Sequence, residues 1–225
     1  MARQERLSTR KMEFEPLWET FVTTIQKGDL APMFFDACEF PAVSTMLVED
    51  DAHTTVTEER LLVRKEAILA DIAQYQTRIK SELVKLYMSQ PTNGGTGHQN
   101  ATAGSEGEEV DLSILHRATT LFKCFSWTCD TFLPYPAIFE HEHVKQYRCA
   151  SSILDRLKSE ASVRPTAILL LKHLGFPEDT LATDLDDLNG RLACLCGHPD
   201  YQKPVNFGAM VSSQIPVETI IFRNL

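Results

Sequence analysis

The stretch CFSWTCDTFLPYPAIFEHEH, residues 124 to 143, constrains this chain more than any other segment. It sets two cysteines and two histidines in the pattern Cys-x4-Cys-x11-His-x-His. Zinc takes four soft or borderline donors in a tetrahedron, often a thiolate pair on a tight turn and imidazoles from a following helix. Cys124, Cys129 and His141 fit that scheme. Pro134 and Pro136 can bring the chain round and open a helix that carries Ile138 and Phe139 inward. His143 fits less simply. Two residues apart on an intact helix, side chains point about 200° apart. Both histidines can face one ion only if the helix ends near His141 and His143 swings back. Cys149 is the other candidate for the fourth position. The plain alternative makes Cys124 and Cys129 core thiols and the histidines surface residues on an acidic helix end.

A second cluster, RLACLCGHPDY, places Cys194, Cys196 and His198 within five residues. A fourth donor is expected about 15 residues on, as in finger-type sites. Ser212, Ser213 and Gln214 stand there, and none is a good zinc ligand. An incomplete site held by apolar packing is an equal reading.

The rest of the chain supplies the frame. Phe14, Leu17, Trp18, Phe21, Val22 and Ile25 recur at helical spacing before Gly28. MFFDACEFPAV is apolar enough to be buried, with Cys38 as a small core residue. Thr55 and Glu58 have the spacing of a capping box. Leu61, Ile68, Ile72, Tyr75, Ile79, Leu83 and Leu86 then form one apolar stripe, which predicts a helix over about 55–88. Residues 89–109, rich in Gly, Ser, Thr and Asn, read as a flexible linker. NGGTG within it lacks the Gly-Lys-Ser/Thr of a phosphate loop. Beyond the linker, DLSILHRATTLFKC reads as a short helix or turn and a strand. SSILDRLKSE and PTAILLLKHLG read as helices, with Gly175 as a stop. FPEDTLATDLDDLNG resembles a calcium loop, but its third ligand position holds Leu188 and its glycine is one place late. A short helix over FGAMVSS and a terminal strand over IPVETIIF complete the pattern.

The expected fold is α+β and predominantly helical, with small β-hairpin or finger-like turns at the two Cys clusters. The expected parts are an N-terminal segment 1–50, the amphipathic helix 51–88, the linker 89–109, and a helical domain 110–225 carrying both clusters.

Composition narrows function. The chain has 225 residues and a formal net charge of −9, which disfavours general binding to phosphate backbones. No apolar run nears the roughly 20 residues that span a bilayer, so no membrane role is expected. The N-terminus carries Arg3, Arg6 and Arg10 but no apolar core, so it does not read as a secretory signal. Glu5, Glu13 and Glu15 count against a mitochondrial presequence. A cytoplasmic or nuclear location, with six reduced cysteines, is the expectation.

The segments LFKCFSWTCDTFLPYPAIFEHEH and LDDLNGRLACLCGHPDYQKPVNFGAMVSS resemble segments of uncharacterised basidiomycete fungal proteins, often described as F-box-like. Those show an aromatic-x-Cys…Cys turn, a Tyr-Pro and a helix ending in His, then Cys-x-Cys-Gly-x-Pro, a Phe and a helix with His. The similarity spans about residues 55 to 213. No F-box-like Leu-Pro…Leu segment is visible, so a ubiquitin-ligase adaptor role does not carry over. Ser213 stands where the family pattern has His, which leaves the second site a ligand short.

Three functions remain. The first is a non-catalytic protein-interaction module stabilised by zinc at Cys124, Cys129, His141 and His143. The second is a finger-like nucleic-acid-binding regulator, opposed by Glu140 and Glu142 on the helix that would enter a groove. The third is a cysteine- or zinc-dependent enzyme, for which Cys124 or Cys129 with His141 lacks an orienting third group.

Overall fold

In the computed structural model the described residues are 3–24, 30–49, 54–89, 110–124, 126, 129, 131–147, 149–157, 163–188, 191–194, 203, 205–213 and 220–222. The expected linker therefore lies outside the described residues from residue 90 onward. In chain order the helices are α1 (Arg3–Thr24), α2 (Phe34–Cys38), α3 (Pro41–Ser44), one π-helical turn (Thr45–Glu49), α4 (Glu58–Val63) and α5 (Lys65–Met88). A 3-10 turn (Leu112–His116) then leads into strands β1 (Leu121–Lys123) and β2 (Phe132–Pro134). Next come α6 (Ala137–Glu140), α7 (Glu142–Lys145), α8 (Ala150–Leu154), α9 (Val163–Leu174) and a second 3-10 turn (Ala182–Leu188). Strand β3 (Leu192–Cys194), α10 (Phe207–Ser212) and β4 (Ile220–Phe222) close the series. Among the described residues helix dominates, and the strands form two antiparallel pairs, β1–β2 and β3–β4. This is the helical α+β class that the patterning predicts.

The chain divides into two compact units. The first comprises Met1–Lys80 and Lys145–Asp155; the second comprises Ser81–Val144 and Arg156–Leu225.

In the first unit, the periodic aromatics of α1 form the heart of the core. Phe14, Trp18 and Phe21 are buried with Phe40 and Tyr75, and Trp18 meets Phe40 edge-on at 6.2 Å. The indole N–H of Trp18 donates to the Pro32 carbonyl at 3.2 Å. Buried Arg10 donates to the Met46, Leu47 and Thr54 carbonyls at 3.4, 3.3 and 3.1 Å. Two of these carbonyls, of Met46 and Leu47, belong to the π turn, and each of the three gains a buried or half-buried donor. The stripe of α4 and α5 is buried in this unit from Leu61 through Ile68, Ile72 and Tyr75 to Ile79, and Leu83, on the part of α5 assigned to the second unit, is buried as well. Two details differ from the sequence pattern. The helix starts at Glu58 with Thr57 as its N-cap, so Thr55 does not form the capping box. Arg64 leaves helical geometry between α4 and α5, and its guanidinium donates to the Ala42 carbonyl at 3.1 Å.

In the second unit, Leu121, Phe132, Ala167, Leu170, Leu185, Leu192, Phe207 and Met210 form one buried cluster. Helix α9 ends as its sequence requires. Gly175 adopts φ +82°, a conformation costly for any residue with a Cβ. Its N–H bonds the Lys172 carbonyl at 3.2 Å, and the next N–H, of Phe176, bonds the Leu171 carbonyl at 2.9 Å. That is a Schellman termination. Helix α10 is capped by the Asn206 side chain, which accepts the Ala209 N–H at 2.8 Å. It packs on β2 so closely that a Cβ at Gly208 would collide with the Phe132 carbonyl. The calcium-like segment is taken up by the 3-10 turn, where the Asp184 carboxylate accepts the Leu181 N–H at 3.1 Å.

Candidate metal centre

The first two donors come from a hairpin. Leu121 pairs with Pro134, Phe122 with Leu133 and Lys123 with Phe132. The ladder continues one rung further, because the Cys124 N–H donates to the Thr131 carbonyl at 3.1 Å. Within the loop the Cys129 N–H donates to the Ser126 carbonyl at 2.8 Å. Phe122 and Phe132 are buried, so the strands that flank the cysteines are anchored in the core.

The histidines come from the segment after the hairpin. Tyr135 is buried and meets Phe139 edge-on at 6.3 Å. Ile138 and Phe139 point inward, as their spacing predicts. The helix then stops: α6 ends at Glu140, and His141 is extended at φ −67° and ψ 134°. A new turn, α7, begins at Glu142 and carries His143. The break solves the geometry that an intact helix forbids. His141 Nε2 and His143 Nδ1 come within 3.2 Å of each other.

The four donor atoms converge. Cys129 Sγ lies 3.3 Å from His141 Nε2, and Cys124 Sγ lies 3.8 Å from His143 Nδ1. All four atoms lie within 4.8 Å of one another. Zinc bonds of about 2.3 Å to sulfur and about 2.0–2.1 Å to nitrogen, at tetrahedral angles, set two nitrogens about 3.3 Å apart, sulfur and nitrogen about 3.5 Å apart and two sulfurs about 3.8 Å apart. The observed spacings straddle these values. The group can therefore hold a metal ion with no more than small side-chain adjustments. Its donor set, two thiols and two imidazoles, suits zinc and other soft or borderline ions.

The local electrostatics favour the neutral forms of Cys124 and His141. Burial raises the pKa of the Cys124 thiol; a hydrogen bond from the Ser126 backbone opposes this, and the adjacent Cys129 adds to it. Burial lowers the pKa of His141, the neighbouring His143 lowers it further, and Glu142 pulls the other way. A neutral imidazole is the form that ligates a metal, and an ion's charge offsets the cost of a buried thiolate.

No protein-family model, curated protein or solved structure matches the chain. The site is thus read from its own geometry.

The other sequence candidates fall elsewhere. Cys149 stands at the start of α8 in the first unit, its Sγ 2.9 Å from the Ser152 hydroxyl; His143 takes the fourth place. Cys38 is buried in α2, and burial pushes its thiol up to about 11. In the second cluster, β3 places Cys194 opposite Ile220, while Cys196 and His198 lie outside the described residues. The Ser212 and Ser213 hydroxyls donate to the helix carbonyls of Ala209 and Met210 at 2.8 and 2.6 Å. Among the described residues, Cys124, Cys129, His141 and His143 form the only such grouping of potential metal donors.

One residue at the centre is not singled out by the metal-ligand pattern. Thr131 gives its carbonyl to the Cys124 N–H and sets its hydroxyl 3.2 Å from Cys129 Sγ. The signal for it is the hydroxyl residue two places after a cysteine ligand.

Proposed function

We propose that the chain is a non-catalytic protein-interaction module whose second unit is organised by a structural zinc ion. The ligands are Cys124, Cys129, His141 and His143. The observation that carries this reading is the convergence of those donor atoms within 4.8 Å. Four protein donors fill a tetrahedral ion, whereas a catalytic zinc keeps one position for water or substrate. That count supports a structural role over an enzymatic one. Glu140 and Glu142 are exposed beside the site, and the chain's net charge is −9. Both weigh against a phosphate backbone and in favour of a protein partner. On α4, Leu62 and Val63 are 53% and 86% exposed, which offers apolar surface for such a partner. Free thiols at Cys38 and Cys149 suit a reducing compartment, cytoplasm or nucleus. Among the described residues no helix is long and apolar enough to cross a membrane.

Elemental analysis of the purified full chain is the test. Near one equivalent of zinc per chain is expected, and none in Cys124→Ser. Metal-free protein that stays folded in chelator would end the reading. A salt-dependent shift of a DNA probe at micromolar protein would turn it towards nucleic acid.

A further inference from the structure

The two sulfurs of the centre are supported alike. Each has a hydrogen-bonding group from the residue two places downstream. For Cys124 it is the backbone N–H of Ser126. For Cys129 it is the side-chain hydroxyl of Thr131, at 3.2 Å. The Thr131 carbonyl also receives the Cys124 N–H at 3.1 Å, so this single residue, just before β2, braces both cysteine ligands.

We propose that Thr131 is a positioning residue of the metal centre, whose hydroxyl donates to the Cys129 thiolate when an ion is bound. This rests on the reading of the four-donor group as a metal site. The Cys129 sulfur and the Thr131 hydroxyl are at hydrogen-bonding distance, 3.2 Å, and a metal-bound thiolate sulfur can only accept. A hydroxyl can reverse its role by rotating about its C–O bond, because it holds one donor and two acceptor sites. A methyl group can do neither. Cys129 is buried, so a thiolate there has little water to satisfy the lone pairs not used by the ion, and an unmet acceptor is costly. Groups that hydrogen-bond to ligands typically change metal affinity by about 10–100-fold. Thr131 thus sets both where the Cys129 sulfur points and how much charge it passes to the metal.

The experiment compares the full chain with Thr131→Val, which keeps the shape, and Thr131→Ser, which keeps the hydroxyl. Zinc affinity is measured by competition with a chelator, and cobalt(II) loading gives the sulfur-to-metal charge-transfer band. Thr131→Val should bind zinc about 10–100-fold more weakly, with the band moved to lower energy; Thr131→Ser should match the wild type in both. If the valine variant does not fold, Thr131→Ala against Thr131→Ser gives the same contrast. A valine variant equal to the wild type in affinity and band overturns the role of Thr131 and leaves the metal site standing. Weaker binding with an unmoved band, or no rescue by serine, also overturns it, because the effect is then one of packing. A wild-type chain that takes up neither zinc nor cobalt overturns the site itself, and this inference with it.

Discussion

His141 Nε2 and His143 Nδ1 stand 3.2 Å apart although the residues are separated by a single position. The relationship exists because His141 is extended, with ψ 134°, between two short helical turns. With no ion between them the two facing nitrogens are at hydrogen-bonding distance, so one ring can donate to the other. With an ion present, the same spacing is that of two ligands of one tetrahedron.

Zinc should therefore stabilise the chain by an amount that grows with the logarithm of free zinc above its Kd. At zinc a hundredfold above its Kd, the native state gains about 2.7 kcal/mol. For a chain of this size each kcal/mol raises Tm by about 2–4 °C, so a rise of about 5–11 °C is expected in a thermal melt. Cys124→Ser and His141→Ala should show no such rise. An equal zinc-dependent shift in the ligand variants would place the effect elsewhere in the molecule.

The sequence makes some of this legible and hides the rest for physical reasons. The stripe from Leu61 to Leu83 is visible because burial imposes a helical period on the residues themselves. The Cys and His spacing is visible because metal chemistry restricts residue type. The break at His141 is legible only through the metal chemistry: no proline or glycine marks it, but two ligands two places apart require the helix to end there. The pause at Arg64 is hidden, since it depends on the Ala42 carbonyl, which is remote in sequence. So is the burial of Asp36, which meets the N–H of Ala150 at 2.8 Å from 114 residues away. Local pattern reports local preference, and these features are tertiary.

Gly208→Ala should destabilise the second unit. The added methyl meets the Phe132 carbonyl, which is backbone of β2 and has little room to retreat. Overpacking of this kind costs about 1–3 kcal/mol. Gly175→Ala should cost about 1–2 kcal/mol for a different reason: space around it is open, but its φ of +82° strains an L side chain. Denaturant melts distinguish the two routes, because Gly175→Asn should recover part of its loss and Gly208→Asn should not. Recovery at position 208 would show that the contact yields.

Asp36 should give the first unit a pH-dependent weakness. Its carboxyl is held above the ordinary range, chiefly by burial, against hydrogen bonds from Ala150 and Tyr75 that lower it. In the unfolded chain it titrates near 3.8. Between that value and its higher native value the folded form holds more protons than the unfolded form. Stability contributed by this group therefore falls as pH rises through the window. One carboxylate oxygen, Oδ2, accepts both the Tyr75 hydroxyl at 3.1 Å and the Ala150 N–H at 2.8 Å. The amide oxygen of Asp36→Asn can accept both. That variant should be at least as stable at neutral pH and should lose the acid-range step. Asp36→Ala should cost about 1–3 kcal/mol for each polar group it orphans. Urea melts across the acid range decide the matter; a step that survives in Asp36→Asn assigns it to another group.

Thiol reactivity should separate the cysteines by environment. Cys38 is buried, and its thiol is pushed up to about 11. At pH 8 only about one molecule in a thousand carries the reactive thiolate. Cys149 is half-buried, and the hydroxyls of Ser151 and Ser152 draw its pKa down, with the Ser152 N–H, against burial and Asp36. It lies partly open to reagent and has the larger thiolate fraction, so iodoacetamide should label Cys149 at least about tenfold faster than Cys38. Cys124 and Cys129 should resist labelling while zinc is bound and react once a chelator removes it, because a metal-held thiolate gives up much of its nucleophilicity. Peptide mapping by mass spectrometry reads all four sites in one time course. Cys38 labelled as fast as Cys149 in folded protein would refute the burial argument, and Cys124 labelled at once in zinc-loaded protein would remove it from the metal centre.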